Sequence, residues 1–425
     1  MYSEENISSS AQKVLRDNTI DECYTVPTRL LYPFQWNWDS CFILLGWITF
    51  DEQRAWTEIE TLLKGQCHTG KIPHILFHHA SDTYFPGPDI WEYGSEIATS
   101  GITQPPVLAT CIRLAYEFCK NKDLARQYIE KFIPQIIQYH RWYHTKRDPN
   151  NTGLIASFHP WETGRDNSVE WDDPLKRVPL EDLIPYERKD LEHIDPAYRP
   201  SKDDYDAYFA LLKEFKKSNY DQEKLYKISS FKIADIGINS ILYRANKDLI
   251  FLLETFDQFE DYLPEIKGYL DIQSQAFEKF YSNQTHLYHS IDLVDNKHLL
   301  DKTAASFLPL WAHSISQEKA SLLKKEFDIW ISKSSYLVPS LDLSSEKFSD
   351  EKYWRGPIWP ILNFMIAKGF EQYGFANVEE TIKKQSSELI KSCYFKEYYN
   401  PKTGEGIGGD KFSWTAAMWL YWVQN

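Results

Sequence analysis

Glycine is scarce in this chain, and several common motifs are absent. Seventeen glycines occur among 425 residues, too few for the many tight turns of an all-β protein. No P-loop, GxGxxG or GxSxG motif occurs, so nucleotide binding and α/β-hydrolase chemistry lack support. No apolar run approaches the ~20 residues that are needed to span a bilayer. These absences direct attention to helical architectures and to other chemistries.

Signals for metals, disulfides and export are also missing. The six cysteines form neither a CxxC pair nor a His/Cys metal spacing, and several are typical of small core residues in a reducing compartment. His74 and His78 are four residues apart, but no third ligand at metal spacing follows and no HExxH motif is present. We therefore expect no metal and no cofactor. The polar segment 1–18 has no apolar signal core and no twin-Arg motif, which predicts a cytoplasmic protein.

Charge in this chain is predominantly acidic. Asp and Glu number 61 against 47 Lys and Arg, for a net charge of -14. This balance argues against a nucleic acid or an anionic membrane as a partner. An anionic small molecule would need a dedicated local cation to bind here. Composition leaves the oligomeric state open, including a homo-oligomer.

Helical periodicity dominates the chain. Between Ile129 and Ile137, five apolar residues fall at i, i+3, i+4, i+7 and i+8, the spacing of one helix face. Helical segments are predicted to start near residues 40, 54, 103, 124, 205, 233, 259, 301, 316, 356, 377 and 411. Twelve helices paired as six hairpins predict an all-α (α/α)6 barrel, a single domain over 1–425. The segment 145–204 is too long for a plain connector and is predicted to be an active-site loop or small lid.

Two carboxyl groups occupy turns that are rich in Gly, Asn and aromatic residues. Asp166 lies in the segment 161–168, and Glu397 precedes the turn 400–404. Glycoside hydrolysis needs one carboxylic acid to protonate the leaving oxygen and one carboxylate to activate water. The 15 Trp and 27 Tyr residues supply flat rings that can hold a sugar. We therefore predict Asp166 as the general acid and Glu397 as the general base.

Both acids also fit a purely structural role. Asp166 could simply cap a loop as an Asx-turn residue, and Glu397 could be a solvated residue beside a hairpin turn. Glu162 and Glu405 are competing acids, and spacing alone does not exclude them.

Aromatic segments elsewhere suggest a sugar-binding surface. The segment 36–40, WNWDS, offers a stacking platform and an acid for two sugar hydroxyls, or else a buried stripe in which Asp39 or Ser40 caps a helix. The segment 353–360, YWRGPIWP, places aromatic residues and a cation ahead of a helix. Its Arg355 could instead be a structural ion-pair partner, and its Trp359 is expected to be a core residue.

Six segments together resemble glycoside hydrolase family 63, inverting α-glycosidases that are built on an (α/α)6 barrel. They are 36–40, 70–74, 103–106, 161–168, 354–357 and 412–416. The resemblance covers most of the chain and implies the general acid at Asp166 and the general base at Glu397. Within the family, the chain is similar to the short bacterial and plant branch that hydrolyses mannosylglycerate and glucosylglycerate. It has no room for the extra β-domain of the long oligosaccharide glucosidases.

The resemblance also implies the residues that bind substrate. The segment 199–205, RPSKDDY, matches the glycerate-binding loop of the branch, and an Arg199 fork suits a carboxylate. Lys202 departs from the acid that the branch usually carries there. Near the glycerate the resemblance places Tyr84, Gln104, Arg199, Tyr205 and Tyr353, and on the sugar side Tyr32, Trp36, Asp39 and Trp354. From the residues alone, Arg199 could instead pair with Asp203 on a solvated loop, and Gln104 could be a cap neighbour.

These observations predict an inverting α-glycoside hydrolase that cleaves mannosylglycerate, glucosylglycerate or both into sugar and glycerate. The preference between mannose and glucose stays open, because fine pocket geometry reads the configuration at C2. One alternative is an α-glucosidase that acts on a neutral disaccharide such as kojibiose, isomaltose or trehalose. Another is a non-catalytic sugar-binding or scaffold protein that retains the barrel.

Overall fold

The computed structural model describes residues 4–94, 96–181, 183 and 185–425. Its α-helices, numbered along the chain, are α1 Glu4–Asp17, α2 Asn37–Trp47, α3 Glu52–Leu63, α4 Pro88–Trp91, α5 Leu108–Phe118, α6 Lys122–Lys146, α7 Asp172–Lys176, α8 Lys202–Lys217, α9 Gln222–Ile228, α10 Ile236–Thr255, α11 Leu263–Ala276, α12 Leu308–Ala312, α13 Gln317–Ile331, α14 Pro360–Gln372, α15 Ala376–Cys393 and α16 Ser413–Met418. None of these described helices is long and apolar enough to cross a membrane.

The strands are short and pair antiparallel. They are β1 Thr19–Ile20, β2 Tyr24–Thr25, β3 Gln35–Trp36, β4 Ile75–Phe77, β5 Tyr93–Gly94, β6 Ala98–Thr99, β7 Ala156–Ser157, β8 Ile233–Ala234, β9 Tyr281–Ser282, β10 Leu287–Tyr288, β11 Ile291–Asp292, β12 Lys297–His298, β13 Tyr398–Tyr399 and β14 Gly406–Ile407. Two four-stranded sheets have the orders β3-β4-β6-β5 and β12-β11-β8-β7, and the rest are two-stranded ribbons.

Six helices close an inner ring. Along the ring α2 packs on α5, α5 on α10, α10 on α12, α12 on α14, α14 on α16, and α16 returns to α2. Outside it, α1 lies on α2 and α16, α3 on α2, α6 on α5 and α10, α11 on α10, and α15 on α14. Helix α13 reaches α14 through the rings of Phe327 and Phe370. This alternation of inner and outer helices is the predicted (α/α)6 barrel.

The inner helices are largely buried because both of their sides are covered. Every residue of α2, α12 and α16 is buried. Close packing of α2 on α16 depends on Gly46, where a Cβ atom would come within 2.7 Å of Ala417. Outer helices such as α3 have an apolar face toward the ring and a polar face toward solvent.

A helix begins near each of the twelve predicted starts, but one of these helices does not belong to the barrel and another helix takes its place. The predicted segment near 205 is α8, which lies outside the ring and packs its aromatic face on loops and short strands. Its place among the twelve is taken by α1, whose stripe of Ile7, Ala11, Val14 and Leu15 is buried. That stripe is narrow in an otherwise polar segment, so its periodicity is hard to recognise in the sequence.

Candidate active site

One cavity brings together every residue that the sequence assigned to catalysis or substrate binding. Its empty volume is about 730 Å³, including open solvent at the mouth. The assigned residues that line it are Tyr32, Trp36, Asp39, Tyr84, Gln104, Asp166, Arg199, Tyr205, Tyr353, Trp354 and Glu397. Several more rings complete the wall: Trp38, His74, Phe85, Trp161, Phe412 and Trp414.

Glu397 immediately precedes β13 and is tied to the opposite side of its hairpin. Its N–H donates to the Gly409 carbonyl at 2.9 Å, and the Gly409 N–H donates to its Oε2 at 2.9 Å. The hydroxyls of Tyr32 and Tyr353 donate to Oε1 at 3.2 and 3.4 Å. Gly408 has φ 76°, and a Cβ there would lie 2.5 Å from Glu397 Oε2. The hairpin thus fixes both oxygens of a side chain that is 1% exposed.

Asp166 follows a single 3-10 turn, Pro160–Thr163, that ends in Gly164. Gly164 has φ 69°, and a Cβ at this position would meet the Trp38 ring at 2.6 Å. Only glycine therefore lets the turn pass this close to the wall of the cavity. Tyr208 of α8 donates its hydroxyl to the Asp166 carbonyl at 2.8 Å, which holds the turn from the other side.

The two neighbours of the acid anchor the same turn. Asn167 Oδ1 accepts the Trp354 N–H at 2.9 Å, which joins the turn to the loop before α14. Arg165 forms buried ion pairs with Glu170 and with Asp235, the residue that caps the N-terminus of inner helix α10. The turn that carries Asp166 is thus connected to the loop before α14 and to the N-terminus of α10.

The two carboxyl groups titrate in different environments. The pKa of Asp166 is raised to about 7, mainly by burial and also by the charge of Glu397, while Arg199 opposes the rise. Burial also raises the pKa of Glu397, against Arg199, the Gly409 N–H and two tyrosine hydroxyls, all of which favour its ionised form. Pairs of acids with such unlike surroundings can divide the roles of proton donor and acceptor.

The competing acids lie outside the cavity. Glu162 is buried against Arg147, whose Nη1 donates to Oε2 at 2.6 Å, and it also accepts the Phe158 N–H at 2.8 Å. Although burial raises it, the Arg147 guanidinium holds the pKa of Glu162 below its usual range. Glu405 is exposed at the tip of the β13–β14 ribbon. Neither acid lines the cavity.

The first turn of α2 presents the predicted sugar-binding acid to the cavity. The helix begins at Asn37 and its N-cap, Trp36, makes no side-chain cap hydrogen bond. The alternative that Asp39 or Ser40 caps the helix is therefore wrong, and Ser40 instead donates its hydroxyl to Glu58 at 2.6 Å. Asp39 is 3% exposed, and burial, then the charge of Glu397, raise its pKa.

Trp354 stacks on Trp359 with 3.7 Å between ring centroids and 2° between planes. Trp359 is a core residue, as expected, so one face of Trp354 is covered and the other remains for the cavity. The neighbouring Arg355 pairs with Asp172 at 2.5 Å, which is the structural ion pair that the sequence left open.

Arg199 is buried among cavity residues and is not on a solvated loop. Its Nε donates to Asp190 at 2.9 Å and its Nη1 to the Tyr32 hydroxyl at 3.0 Å. Its guanidinium carbon lies 4.3 Å from the centroid of the Tyr353 ring, and its side chain is 4% exposed. The alternative pairing with Asp203 is wrong.

The other residues predicted near Arg199 differ in how they are held. Tyr205 donates its hydroxyl to Asp190 at 3.4 Å, and Gln104 accepts the Trp38 N–H at 3.2 Å. Tyr84 packs edge-on against Trp36. All three side chains line the cavity.

Lys202, where the sequence departs from the branch, is exposed and pairs with Asp206 at 2.5 Å, one turn along α8. Lys202 does not line the cavity. Its difference from the branch therefore leaves the cavity wall unchanged.

Sequence reasoning missed Asp190. It lies in the charged, Pro-punctuated stretch before α8, where none of its neighbours forms a motif. The rings of Trp38, Trp161 and Trp414 lie within recognised motifs, and Trp38 belongs to the stacking platform that was predicted at 36–40. Among the described residues, no group of three or more His, Cys, Asp or Glu side chains is arranged to hold a metal ion.

Comparison with known proteins gives a consistent result. A family model described as the mannosylglycerate hydrolase MGH1-like glycoside hydrolase domain matches residues 32–415. A mannosylglycerate hydrolase from Thermus thermophilus is 46% identical over 97% of this chain and 100% of its own length. A glucosylglycerate hydrolase from Mycolicibacterium hassiacum is 32% identical over 98% and 97%. The crystal structure of the GH63 mannosylglycerate hydrolase from Thermus thermophilus in complex with Tris and D-glycerate superimposes with a TM-score of 0.94, at 45% identity, covering 98% of this chain and 99% of that one.

Proposed function

The chain belongs to the family of mannosylglycerate hydrolase MGH1-like glycoside hydrolases, and we propose that it is an inverting α-glycoside hydrolase of glycerate glycosides. It cleaves mannosylglycerate, glucosylglycerate or both into sugar and glycerate. One observation carries the proposal: Asp166, Glu397 and the buried cation Arg199 line the same ring-walled cavity. An acid, a base and a cation are the three groups that hydrolysis of an anionic glycoside requires.

Asp166 is the general acid in this proposal. A carboxyl group with a pKa of about 7 holds its proton in much of the population at neutral pH and can give it to the glycosidic oxygen. The Gly164 turn and the Asn167 hydrogen bond to Trp354 hold this carboxyl group in place while the bond breaks.

Glu397 is the general base. Hydrogen bonds from Gly409, Tyr32 and Tyr353 favour its ionised form, which takes a proton from water. The water then attacks the anomeric carbon on the face opposite the leaving group, so the configuration inverts. This route requires the two carboxyl groups to stand about 6.5–9.5 Å apart, which leaves room for the water.

Arg199 is the group that binds the carboxylate of glycerate. It supplies the local cation that a chain with a net charge of -14 needs if it is to bind an anion. A planar guanidinium presents paired N–H donors that match a carboxylate. A neutral disaccharide offers no such partner, so Arg199 favours the glycerate glycoside over the alternative substrates.

The remaining assignments concern the walls and the mouth of the cavity. Trp36, Asp39 and Trp354 hold the sugar ring, and Tyr84, Gln104, Tyr205 and Tyr353 surround the glycerate. The whole chain acts as one catalytic domain. Its segment 145–204, together with α8, serves as a lid that excludes water from the reacting bond.

A panel of substrates tests the proposal. Purified protein is given mannosylglycerate, glucosylglycerate, kojibiose, isomaltose and trehalose, and free sugar and glycerate are measured. We expect release of glycerate from at least one glycoside and no comparable cleavage of the disaccharides. Asp166→Asn and Glu397→Gln should abolish this release, while Glu405→Gln, an exposed acid outside the cavity, should not change it. Cleavage of a neutral disaccharide alone would overturn the proposal.

A further inference from the structure

Asp190 lies between two guanidinium groups at the Arg199 end of the cavity. Its Oδ1 accepts from Arg188 Nε at 3.1 Å, and its Oδ2 accepts from Arg188 Nη2 at 2.7 Å. Oδ2 also accepts from Arg199 Nε at 2.9 Å and from the Tyr205 hydroxyl at 3.4 Å. Asp190 itself lines the cavity. We call Arg188, Asp190 and Arg199 the Asp190 cluster.

Further contacts hold the side chains of the cluster in place. Arg188 also donates to the Pro200 carbonyl at 2.6 Å, and its guanidinium carbon lies 3.7 Å from the centroid of the Tyr205 ring. Arg199 has two of its nitrogens bound, Nε to Asp190 and Nη1 to Tyr32. Its remaining terminal nitrogen, Nη2, has no hydrogen-bond partner among the described residues.

The charges of the cluster do not cancel. Two guanidinium groups and one carboxylate leave an excess of one positive charge. The nearby pair of Lys202 and Asp206 is neutral in itself and lies toward solvent. Arg199 also acts on Glu397, which lies across the Tyr32 hydroxyl from it. A ligand that enters at the cluster meets the cluster's own excess of one positive charge.

We propose that Asp190 is a specificity-determining and positioning residue, which orients Arg199 and limits the excess charge at this end of the cavity to one. The site then selects an aglycone with a single negative charge over neutral and doubly charged aglycones of similar size. This inference rests on the proposed function and specifies the charge of its substrate class.

The selectivity follows from the cost of burying an unpaired charge. A neutral aglycone would cover the cluster and leave its two guanidinium groups with only one carboxylate between them, which is unfavourable. A single carboxylate on the aglycone cancels the excess positive charge of the cluster. A second would be desolvated with no cation left to pair with it. Removal of the charge of Asp190 raises the excess to two, so the charge that fits best changes as well.

Three glycosides of nearly equal aglycone size test this directly. They carry glyceramide, glycerate and tartronate, with charges of 0, -1 and -2, on whichever sugar the protein accepts. The wild-type protein should show its highest kcat/KM with glycerate. In Asp190→Asn, the ratio of kcat/KM for tartronate to that for glycerate should rise at least about tenfold. A ratio of two substrates on one preparation does not depend on the fraction that is folded.

Asp206→Asn is the matched control. Asp206 makes the same kinds of contact as Asp190, accepting from the Tyr186 hydroxyl at 2.6 Å and from Lys202 at 2.5 Å. It does not line the cavity. This variant should keep the wild-type order of the three substrates.

A pH profile separates a charge effect from a merely structural one. The charged groups that act on Asp166 are Arg199, Glu397 and Asp190, and the last of these raises its pKa. Asp190→Asn should therefore move the alkaline limb of kcat/KM to lower pH. Five tyrosine hydroxyls also interact electrostatically with Asp166, and they are uncharged both in the wild-type protein and in Asp190→Asn. They belong to Tyr32, Tyr84, Tyr205, Tyr208 and Tyr353.

The outcomes distinguish the two claims. A wild-type protein that prefers glycerate, with an Asp190→Asn variant that keeps the wild-type ratio of kcat/KM for tartronate to that for glycerate and the same alkaline limb, overturns the role of Asp190 alone. A wild-type protein that cleaves the glyceramide glycoside as fast as the glycerate glycoside overturns the charge selectivity, whereas one that releases glycerate from neither sugar overturns the proposed function itself.

Discussion

Gly409 and Glu397 are joined by a reciprocal pair of hydrogen bonds: each backbone N–H donates to the other residue, one to a carbonyl and one to carboxylate Oε2, both at 2.9 Å. The backbone of the β13–β14 ribbon therefore sets the direction of the proposed base. Precision in catalysis depends on such fixed geometry, since a shift of about 1 Å can cost about 100-fold in rate.

Gly408→Ala should disturb this arrangement. A Cβ atom would lie 2.5 Å from Glu397 Oε2, on a backbone with φ 76°. We expect a fall in kcat of about 100-fold and a loss of about 1–3 kcal/mol in unfolding free energy from the strained backbone. The control is Gly374→Ala, where φ is 83° but nothing lies within 4 Å. An equal fall in kcat in both variants would show that strain alone is responsible.

Glu162→Gln should destabilise the folded protein. Glu162→Gln leaves the buried Arg147 without its counter-ion, so we expect a loss of about 3–5 kcal/mol in unfolding free energy. The exposed pair of Glu60 and Lys131 is the control, and Glu60→Gln should change stability by less than about 1 kcal/mol. Denaturant titration measures both. Wild-type stability in Glu162→Gln would contradict a structural role for the ion pair of Glu162 and Arg147.

The elevated pKa of Asp166 has consequences for activity and for stability. Activity should fall as pH rises through about 7, because the acid loses its proton. The folded-state pKa lies above the unfolded value, so the stability contributed by this group is complete below the unfolded pKa and is lost as pH rises through about 7.

Asp166→Asn should therefore remove that loss of stability between about pH 4 and 7. Thermal unfolding at several pH values compares the two proteins, with Asp173→Asn, an exposed acid, as the control. Identical pH dependence in wild type and Asp166→Asn would contradict a raised pKa.

Tyr32→Phe should affect the base more than the acid. The hydroxyl donates to Glu397 at 3.2 Å and accepts from Arg199 at 3.0 Å, and the donated bond lowers the pKa of Glu397. Its removal should raise that pKa, so the acidic limb of the kcat profile moves to higher pH. Tyr373→Phe, which removes a hydroxyl bonded to Ile315 outside the cavity, should leave the profile unchanged. An unmoved limb in Tyr32→Phe would rule out this coupling.

The barrel could be predicted from the sequence because apolar residues recur at helical spacing in many of its segments, as between Ile129 and Ile137. Exchange of α1 for α8 was not predictable, since α1 carries only a narrow apolar stripe whereas α8 buries half of its residues, and only packing decides which one closes the ring. Local periodicity contains no information about that choice.

The site could be predicted where motifs surround it, and not where contacts cross the fold. Asp166 and Glu397 can be identified through their turns, whereas the exclusion of Glu162 depends on Arg147 beside it. Asp190 has no signal at all, because its partners Arg188, Arg199 and Tyr205 converge only after α8 docks on the mouth of the cavity. Charge pairing of this kind depends on tertiary structure.

The most direct measurement is the configuration of the sugar at the moment it is released. Proton NMR during hydrolysis of the accepted glycerate glycoside records which anomer appears first, before mutarotation mixes the two. An acid and a base that act on opposite faces of the ring predict the β anomer first. Early appearance of the α anomer would show retention and would contradict the roles of Asp166 and Glu397.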